Sequence, residues 1–190
     1  MDAYHGWIMA GTALDAVETW AGKDAYLLRE TGALGSGRCD GILIPTHWES
    51  PLKPGLHGVE VKVSRGDFLR GLNEGQFERY RKLFNTLYLV SPVGVCKTNE
   101  LPKGIGHLVV SRRGDYGPVC VCKRRAAWNP IEIDQKSLWK VVFDLGDQIR
   151  RRRNEEDRKN HQMQEKADEV LGRLMGRVSY HVGKMVSELK

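Results

Sequence analysis

The sequence predicts an α/β protein with a mixed central β-sheet flanked by helices and a C-terminal helical extension. In the first two thirds, short apolar segments typical of strands occur between segments whose apolar residues recur at helical spacing. From Gln135 onward only the helical spacing continues. A chain of 190 residues can bury a core, so we expect a core domain at 1–130 and a helical extension at 131–190.

The predicted core mixes helices and strands along the chain. Its predicted helices are 6–20 and 67–83, the second weakened by Gly71 and Gly75 in its interior. A polar loop with several prolines, 46–57, separates the second and third strands. The predicted strands are 25–29, 38–45, 58–64, 86–92, 106–112 and 118–123. This mixed order favours an α/β core.

Asp40, Glu60 and Lys62 form the candidate site of this core. Side chains alternate along a strand, so Glu60 and Lys62 share one face while the neighbouring valines take the other. A half-buried strand with a solvated face gives the same alternation. The order of the surrounding elements favours instead a site for a divalent cation and an activated water, which indicates phosphodiester cleavage.

Composition narrows the partners and the compartment. The net charge of +6 favours a polyanionic partner, although simple solubility explains it equally well. The four cysteines include no Cys-x-x-Cys pair, which disfavours a zinc site. No signal peptide and no bilayer-spanning apolar run is evident, so we expect a cytoplasmic protein with free thiols that binds no membrane.

The order of Asp40, Glu60-Val61-Lys62 and Gln76-x-x-x-Tyr80 resembles the PD-(D/E)xK nuclease superfamily. The last motif is similar to that of RecB-type nuclease domains, and the run 38–92 resembles MmcB-like DNA-repair proteins. The resemblance covers about residues 10–125. It implies a restriction-endonuclease-like core and a metal-dependent deoxyribonuclease of DNA repair or processing, in a phage or a bacterium.

The same resemblance implies roles for the residues of the site. Asp40, Glu60 and the backbone carbonyl of Val61 would hold Mg²⁺ or Mn²⁺, which prefers oxygen ligands. The metal would lower the pKa of a bound water. Lys62 would orient that water and stabilise the developing negative charge.

Four further residues are candidates for supporting roles. Gln76 and Tyr80 lie four apart on one helical face, and the resemblance implies that they position nucleic acid or order the site. Packing in the core is the alternative for this pair. Glu18 is our slightly preferred additional metal ligand and Glu30 is its competitor; a solvated surface acid is the alternative for either one.

Six cations close to these motifs in the sequence are expected to neutralise DNA phosphates without reading sequence. They are Arg38, Arg65, Arg70, Arg79, Arg81 and Lys82. DNA is therefore the expected partner.

The C-terminal extension carries an apolar stripe at helical spacing, which predicts packing on the core or a possible homodimer through these helices. Two other functions stay open from the sequence. One is a catalytically silent DNA-binding module of the same fold. The other is an assembly or interaction protein that uses its helical tail.

Overall fold

The computed structural model describes residues 8–31, 38–47, 50, 52–112 and 117–188. Six strands form one sheet in sequential order. The strands are β1 (Ala25–Thr31), β2 (Cys39–Pro45), β3 (His57–Val61), β4 (Thr86–Pro92), β5 (Gly106–Arg112) and β6 (Pro118–Arg124). The helices are α1 (Ala10–Ala21), α2 (Arg65–Asn73), α3 (Gln76–Arg81) and α4 (Gln135–Glu188), and short 3-10 turns lie at Gly22–Asp24 and Thr98–Glu100.

The sheet is mixed. Strands β3, β4 and β5 run parallel, whereas β1 is antiparallel to β2, β2 to β3, and β5 to β6. Leu87, Leu89 and Val90 of the central strand β4 are all buried, as expected for a parallel strand that is covered on both faces. The predicted α/β fold with a mixed sheet and flanking helices is confirmed.

One face of the sheet is covered by α1. Leu14 and Val17 of this helix belong to a buried cluster with Leu27 of β1 and with Val59 and Val61 of β3. Full burial of such a side chain contributes about 1.5–3 kcal/mol. The odd-numbered residues of β3 therefore face α1, as their alternation with Glu60 predicts.

The other face is covered by α2 and α3. Phe68 of α2 and Phe77 of α3 are fully buried, with ring centroids 6.0 Å apart. Phe84 packs on β3 at Gly58, where a Cβ atom would lie 2.4 Å from the ring. Since the odd-numbered residues of β3 face α1, this second face is the one that receives the side chain of Glu60.

Two predicted helices differ from the observed ones. The single helix predicted at 67–83 is wrong, because Gly75 adopts a left-handed φ of 63° and separates α2 from α3. Helix α2 begins earlier than predicted, since the Ser64 side chain accepts a hydrogen bond of 3.1 Å from the Asp67 N–H. Helix α1 begins at Ala10, and residues 6 and 7 of the helix predicted at 6–20 lie outside the described residues.

The C-terminal extension is one helix of 54 residues. By its internal contacts the chain divides into two units, 1–144 and 145–190, while the boundary predicted after residue 130 stays a prediction, as does the homodimer. None of the helices formed by the described residues is long and apolar enough to cross a membrane.

Candidate active site

Asp40 and Glu60 lie on adjacent antiparallel strands. Gly41 pairs with Val59, so the next positions along the two strands are Asp40 and Glu60, and opposite residues of an antiparallel pair share a face. The Asp40 Oδ2 atom accepts a hydrogen bond of 2.7 Å from the Val61 N–H. The Asp40 carboxylate is thus fixed beside Glu60 by the backbone of β3.

The carboxylate of Glu60 is held through one of its two oxygens. Its Oε1 atom lies 3.0 Å from Lys62 Nζ and accepts a hydrogen bond of 2.8 Å from Gln76 Nε2. Its Oε2 atom is buried and has no hydrogen-bond partner among the described residues. Glu60 therefore has one bonded oxygen, Oε1, and one open oxygen, Oε2, whose burial is costly without a partner.

Lys62 lies directly after β3, which ends at Val61 rather than at residue 64 as predicted. Its N–H donates a hydrogen bond of 2.9 Å to the Val90 carbonyl, which extends the pairing with β4 by one residue. The side chain is 8% exposed, and its Nζ also lies 3.7 Å from Asp67 Oδ2. The ammonium group is thus placed between two carboxylates.

Burial dominates the electrostatics of the site. Together with the negative charge of Asp40 it raises the pKa of Glu60 to about 7, against the lowering effect of Lys62 and Gln76. Burial also raises the pKa of Asp40, which the hydrogen bond from Val61 opposes. A bound cation would favour the charged form of both carboxylates.

Asp67 and Gly71 belong to the site but were not predicted. Asp67 is the third residue after the Ser64 cap of α2. This spacing of a serine and an acidic residue is a sequence pattern typical of a helix N-terminus. A Cβ atom on Gly71 would lie 2.7 Å from Gln76 Oε1 and 3.2 Å from Lys62 Cε. Because Gly71 has no side chain, the side chains of Gln76 and Lys62 can approach the α2 backbone closely. In the sequence, Gly71 was noticeable only as a residue that is unfavourable inside a helix.

Gln76 and Tyr80 have separate roles in the structure. Gln76 reaches Glu60 directly, as described. The Tyr80 hydroxyl donates a hydrogen bond of 2.8 Å to the carbonyl of Arg38, two residues before Asp40. Tyr80 therefore holds the beginning of β2.

The structure brings Glu30 rather than Glu18 to the side of Asp40. The Glu18 carboxylate lies 2.5 Å from Nη2 of Arg29, on the α1 side of the sheet. Glu30 lies between Arg29 and Thr31, whose partners on β2 flank Asp40, and its charge contributes to the raised pKa of Asp40. Its φ of 49° is left-handed, a strained conformation for a glutamate.

Most of the six cations predicted to bind DNA already have a partner. Arg38 pairs with Glu30 at 2.5 Å. Arg65 donates hydrogen bonds of 2.7 and 2.6 Å to the two carboxylate oxygens of Glu100. The partner of Arg70 is Asp67, and that of Arg79 is the carbonyl of Glu74. Arg81 and Lys82 instead line a pocket at the end of α3.

A metal ion would find two carboxylates at this site. Within the described ranges, no three His, Cys, Asp or Glu side chains are grouped closely enough to hold a metal among them. Mg²⁺ usually takes only one or two carboxylates and completes its shell with water and substrate phosphate. The open oxygen of Glu60, with Asp40 opposite, fits that requirement, and the carbonyl of Val61 as a third ligand stays a prediction.

Comparison with known proteins supports the fold alone. No protein-family model and no curated protein matches the chain. Among solved structures, a protein of unknown function from Silicibacter pomeroyi is similar, with a TM-score of 0.56 and 14% sequence identity. The match covers 80% of this chain and 90% of that one.

Proposed function

We propose that this protein is a metal-dependent deoxyribonuclease that hydrolyses DNA phosphodiester bonds at Asp40, Glu60 and Lys62. The observation that carries the proposal is the open oxygen of Glu60. A buried carboxylate that served only an ion pair would be expected to satisfy both oxygens. Here the second oxygen has no partner within the described chain, although Lys62 is only 3.0 Å from the first.

Asp40 and Glu60 would hold the cation, with the Val61 carbonyl as a further ligand. When bound, Mg²⁺ or Mn²⁺ supplies a water of lowered pKa and neutralises charge on the scissile phosphate. The hydrogen bond from Val61 keeps the Asp40 carboxylate in place before any ligand arrives. The hydrogen bond from Gln76 likewise keeps the Glu60 carboxylate in place. Neither carboxylate would therefore have to change its position when the cation binds.

Lys62 would orient the attacking water and stabilise the negative charge that develops on the phosphate. A lysine suits this role because its ammonium group is a compact charge with three donors. Its burial strengthens the effect, since charges interact more strongly away from bulk water. The Asp67 Oδ2 atom, 3.7 Å from Nζ, would help to hold the ammonium group in position.

DNA as the substrate is supported by the net charge of +6 and by the resemblance carried by Asp40, Glu60 and Lys62. A role in repair or processing rests on the resemblance alone. The second candidate is a catalytically silent DNA-binding module of the same fold. The direct ion pair between Glu60 and Lys62 favours this silent module, because the two buried charges compensate one another without a metal.

Cleavage of supercoiled DNA and of circular single-stranded DNA, with Mg²⁺ or Mn²⁺, tests the proposal. We expect the wild-type protein to nick both circles, and Asp40→Asn and Lys62→Ala to lose this endonuclease activity. Asp15→Asn is the matched control, since Asp15 is an exposed acid that pairs with Arg29 on the α1 side. Nicking that survives in Asp40→Asn and Lys62→Ala contradicts the proposal. Salt-sensitive binding without cleavage favours the silent module.

A further inference from the structure

A positively charged pocket lies between the end of α3 and the turn that leads into β5. Its volume is about 270 Å³, and its walls include Arg81, Lys82 and Lys103 together with the acid Glu78. Three cations against one carboxylate give the pocket a net positive charge. An anion is the ligand that such a pocket attracts.

Arg81 packs against the turn that forms one wall of this pocket. Its guanidinium group lies against Gly104, where a Cβ atom would be 2.7 Å from Cζ. Gly104 has a left-handed φ of 85°, which glycine adopts without strain. The Asn129 side chain donates a hydrogen bond of 2.9 Å to the Arg81 carbonyl and one of 3.3 Å to the Phe84 carbonyl. The backbone of Arg81 is therefore held by Asn129, while its guanidinium group packs against the turn at Gly104.

The turn opposite Arg81 is held in place by hydrogen bonds from a residue of β6. Arg124 donates from Nε to the Ile105 carbonyl at 2.8 Å and from Nη2 to the Pro102 carbonyl at 3.0 Å. These bonds fix the backbone on both sides of Lys103 and Gly104. They also bring a further guanidinium group to the same turn, which adds to its positive charge.

The cations of the pocket are not neutralised by the protein. Across the described part of the chain, no carboxylate forms an ion pair with Arg81, Lys82 or Lys103. The Nε atom of Arg81 is buried and finds no hydrogen-bond acceptor among the described residues. This differs from Arg38, which forms an ion pair with Glu30. A buried donor of this kind requires an acceptor.

We propose that this pocket binds one phosphate group of a nucleic-acid strand. A guanidinium fork with two ammonium groups in the same pocket matches the charge and the oxygen acceptors of a phosphate. The pocket lies near the beginning of the parallel strand β5, whereas Lys62 follows the end of β3. The bound phosphate is therefore not the one that is cleaved, and it fixes the register of the strand. In naming DNA as that strand, this inference rests on the proposed function.

Inorganic phosphate is the first probe, because its binding requires neither DNA nor cleavage. We expect saturable shifts of the backbone amide NMR signals of Lys103, Gly104 and Ile105, and their loss in Arg81→Gln. Gly104→Ala keeps every charge but displaces the guanidinium group, so it should lose the same shifts. Circular dichroism of both variants verifies that they are folded. Absence of saturable shifts in the folded wild-type protein overturns the pocket as a phosphate site.

The salt dependence of binding to a single-stranded DNA oligonucleotide, measured without divalent cation, tests the source of the phosphate. Loss of one phosphate contact lowers the slope of log K against log salt by about 0.7. For Arg81→Gln and Lys103→Ala, the affinity ratio between about 50 and 200 mM salt should therefore shrink by about 2.6-fold. Lys23→Ala, which removes an exposed charge before β1, is the control with an unchanged slope.

The outcomes separate this inference from the proposed function. If the wild-type protein cleaves DNA with a divalent metal but Arg81→Gln has an unchanged slope, the pocket inference is overturned and the proposed nuclease activity stands. A reduced slope without cleavage by the wild-type protein supports the pocket and contradicts the nuclease. Phosphate shifts with no change of slope in Arg81→Gln identify a site for free phosphate, which overturns the assignment to a nucleic-acid strand.

Discussion

Gln76 fixes Glu60 through a hydrogen bond of 2.8 Å from Nε2 to Oε1, which ties α3 to the end of β3. The bond occupies one carboxylate oxygen and leaves Oε2 as the open oxygen. Because Lys62 approaches the same Oε1 atom, both partners bind Glu60 from one side. The orientation of the carboxylate thus depends on a residue from a different element.

Replacing Gln76 by leucine removes this hydrogen bond at similar volume. We expect the concentration of Mg²⁺ needed for half-maximal cleavage to rise about 10- to 100-fold, as for other residues that orient a metal ligand. Gln164→Leu is the matched control, because Gln164 is exposed on α4 and its side chain bonds only to Asp168 among the described residues. Equal metal requirements in both variants would contradict the orienting role of Gln76.

Gly71→Ala tests the close approach of Gln76 and Lys62 to α2. Alanine in place of a helical glycine ordinarily stabilises by about 0.5–1 kcal/mol, but here its Cβ atom would lie 2.7 Å from Gln76 Oε1. We expect no gain in the free energy of unfolding by urea, and a loss of cleavage that does not add to that of Gln76→Leu.

The control for this glycine is Gly66→Ala in the same helix, where nothing lies within 4 Å of the added atom. We expect this variant to be at least as stable as wild type and fully active. If Gly71→Ala behaves in the same way, the packing of Gln76 against α2 does not matter for the site.

The pKa of Glu60, raised from 4.5 to about 7 by burial, predicts how stability depends on pH. The folded state keeps a proton that the unfolded state has lost, so this contribution is complete below pH 4.5 and is lost as the pH rises through 7. The free energy of unfolding by urea should fall on the order of 1–3 kcal/mol further in wild type than in Glu60→Gln over this range.

The comparison with Glu60→Gln isolates Glu60, because burial lowers the pKa of His57 and of His107 and these groups titrate in the opposite direction. Mg²⁺ should restore stability above pH 7 in wild type alone, since it would bind the charged carboxylate. A pH dependence that is identical in both proteins would show that Glu60 is ionised throughout.

The main parts of the site were predictable from local patterns, whereas its supporting contacts were not. Alternation along one strand placed Glu60 and Lys62 together. Helical spacing placed Gln76 and Tyr80 on one face of a helix, and only the resemblance to PD-(D/E)xK nucleases directed that face to the site. The pairing of Arg65 with Glu100 joins residues 35 apart in sequence, and no local rule specifies such a contact. Periodicity alone predicted one helix at 67–83, but the left-handed φ of Gly75 divides this segment into two helices.

The pair of Arg65 and Glu100 leads to a last prediction about the cations near the site. The two hydrogen bonds from Arg65 lower the pKa of Glu100 from 4.5 to about 2. This pair should therefore contribute stability that is present above pH 4.5 and is lost as the pH falls through 2. Arg65→Gln should lower Tm more at neutral pH than at acid pH. In a protein that already carries Glu100→Gln, Arg65→Gln should cause no further decrease of Tm.

Because Arg65 is already paired, Arg65→Gln should leave the salt dependence of DNA binding nearly unchanged, whereas Arg81→Gln reduces it. The two variants remove the same charge with the same substitution, so each is the control for the other. Net charge alone predicts equal effects, and the ion pair with Glu100 predicts unequal ones. Equal reductions of the slope would mean that Arg65 leaves Glu100 to contact DNA.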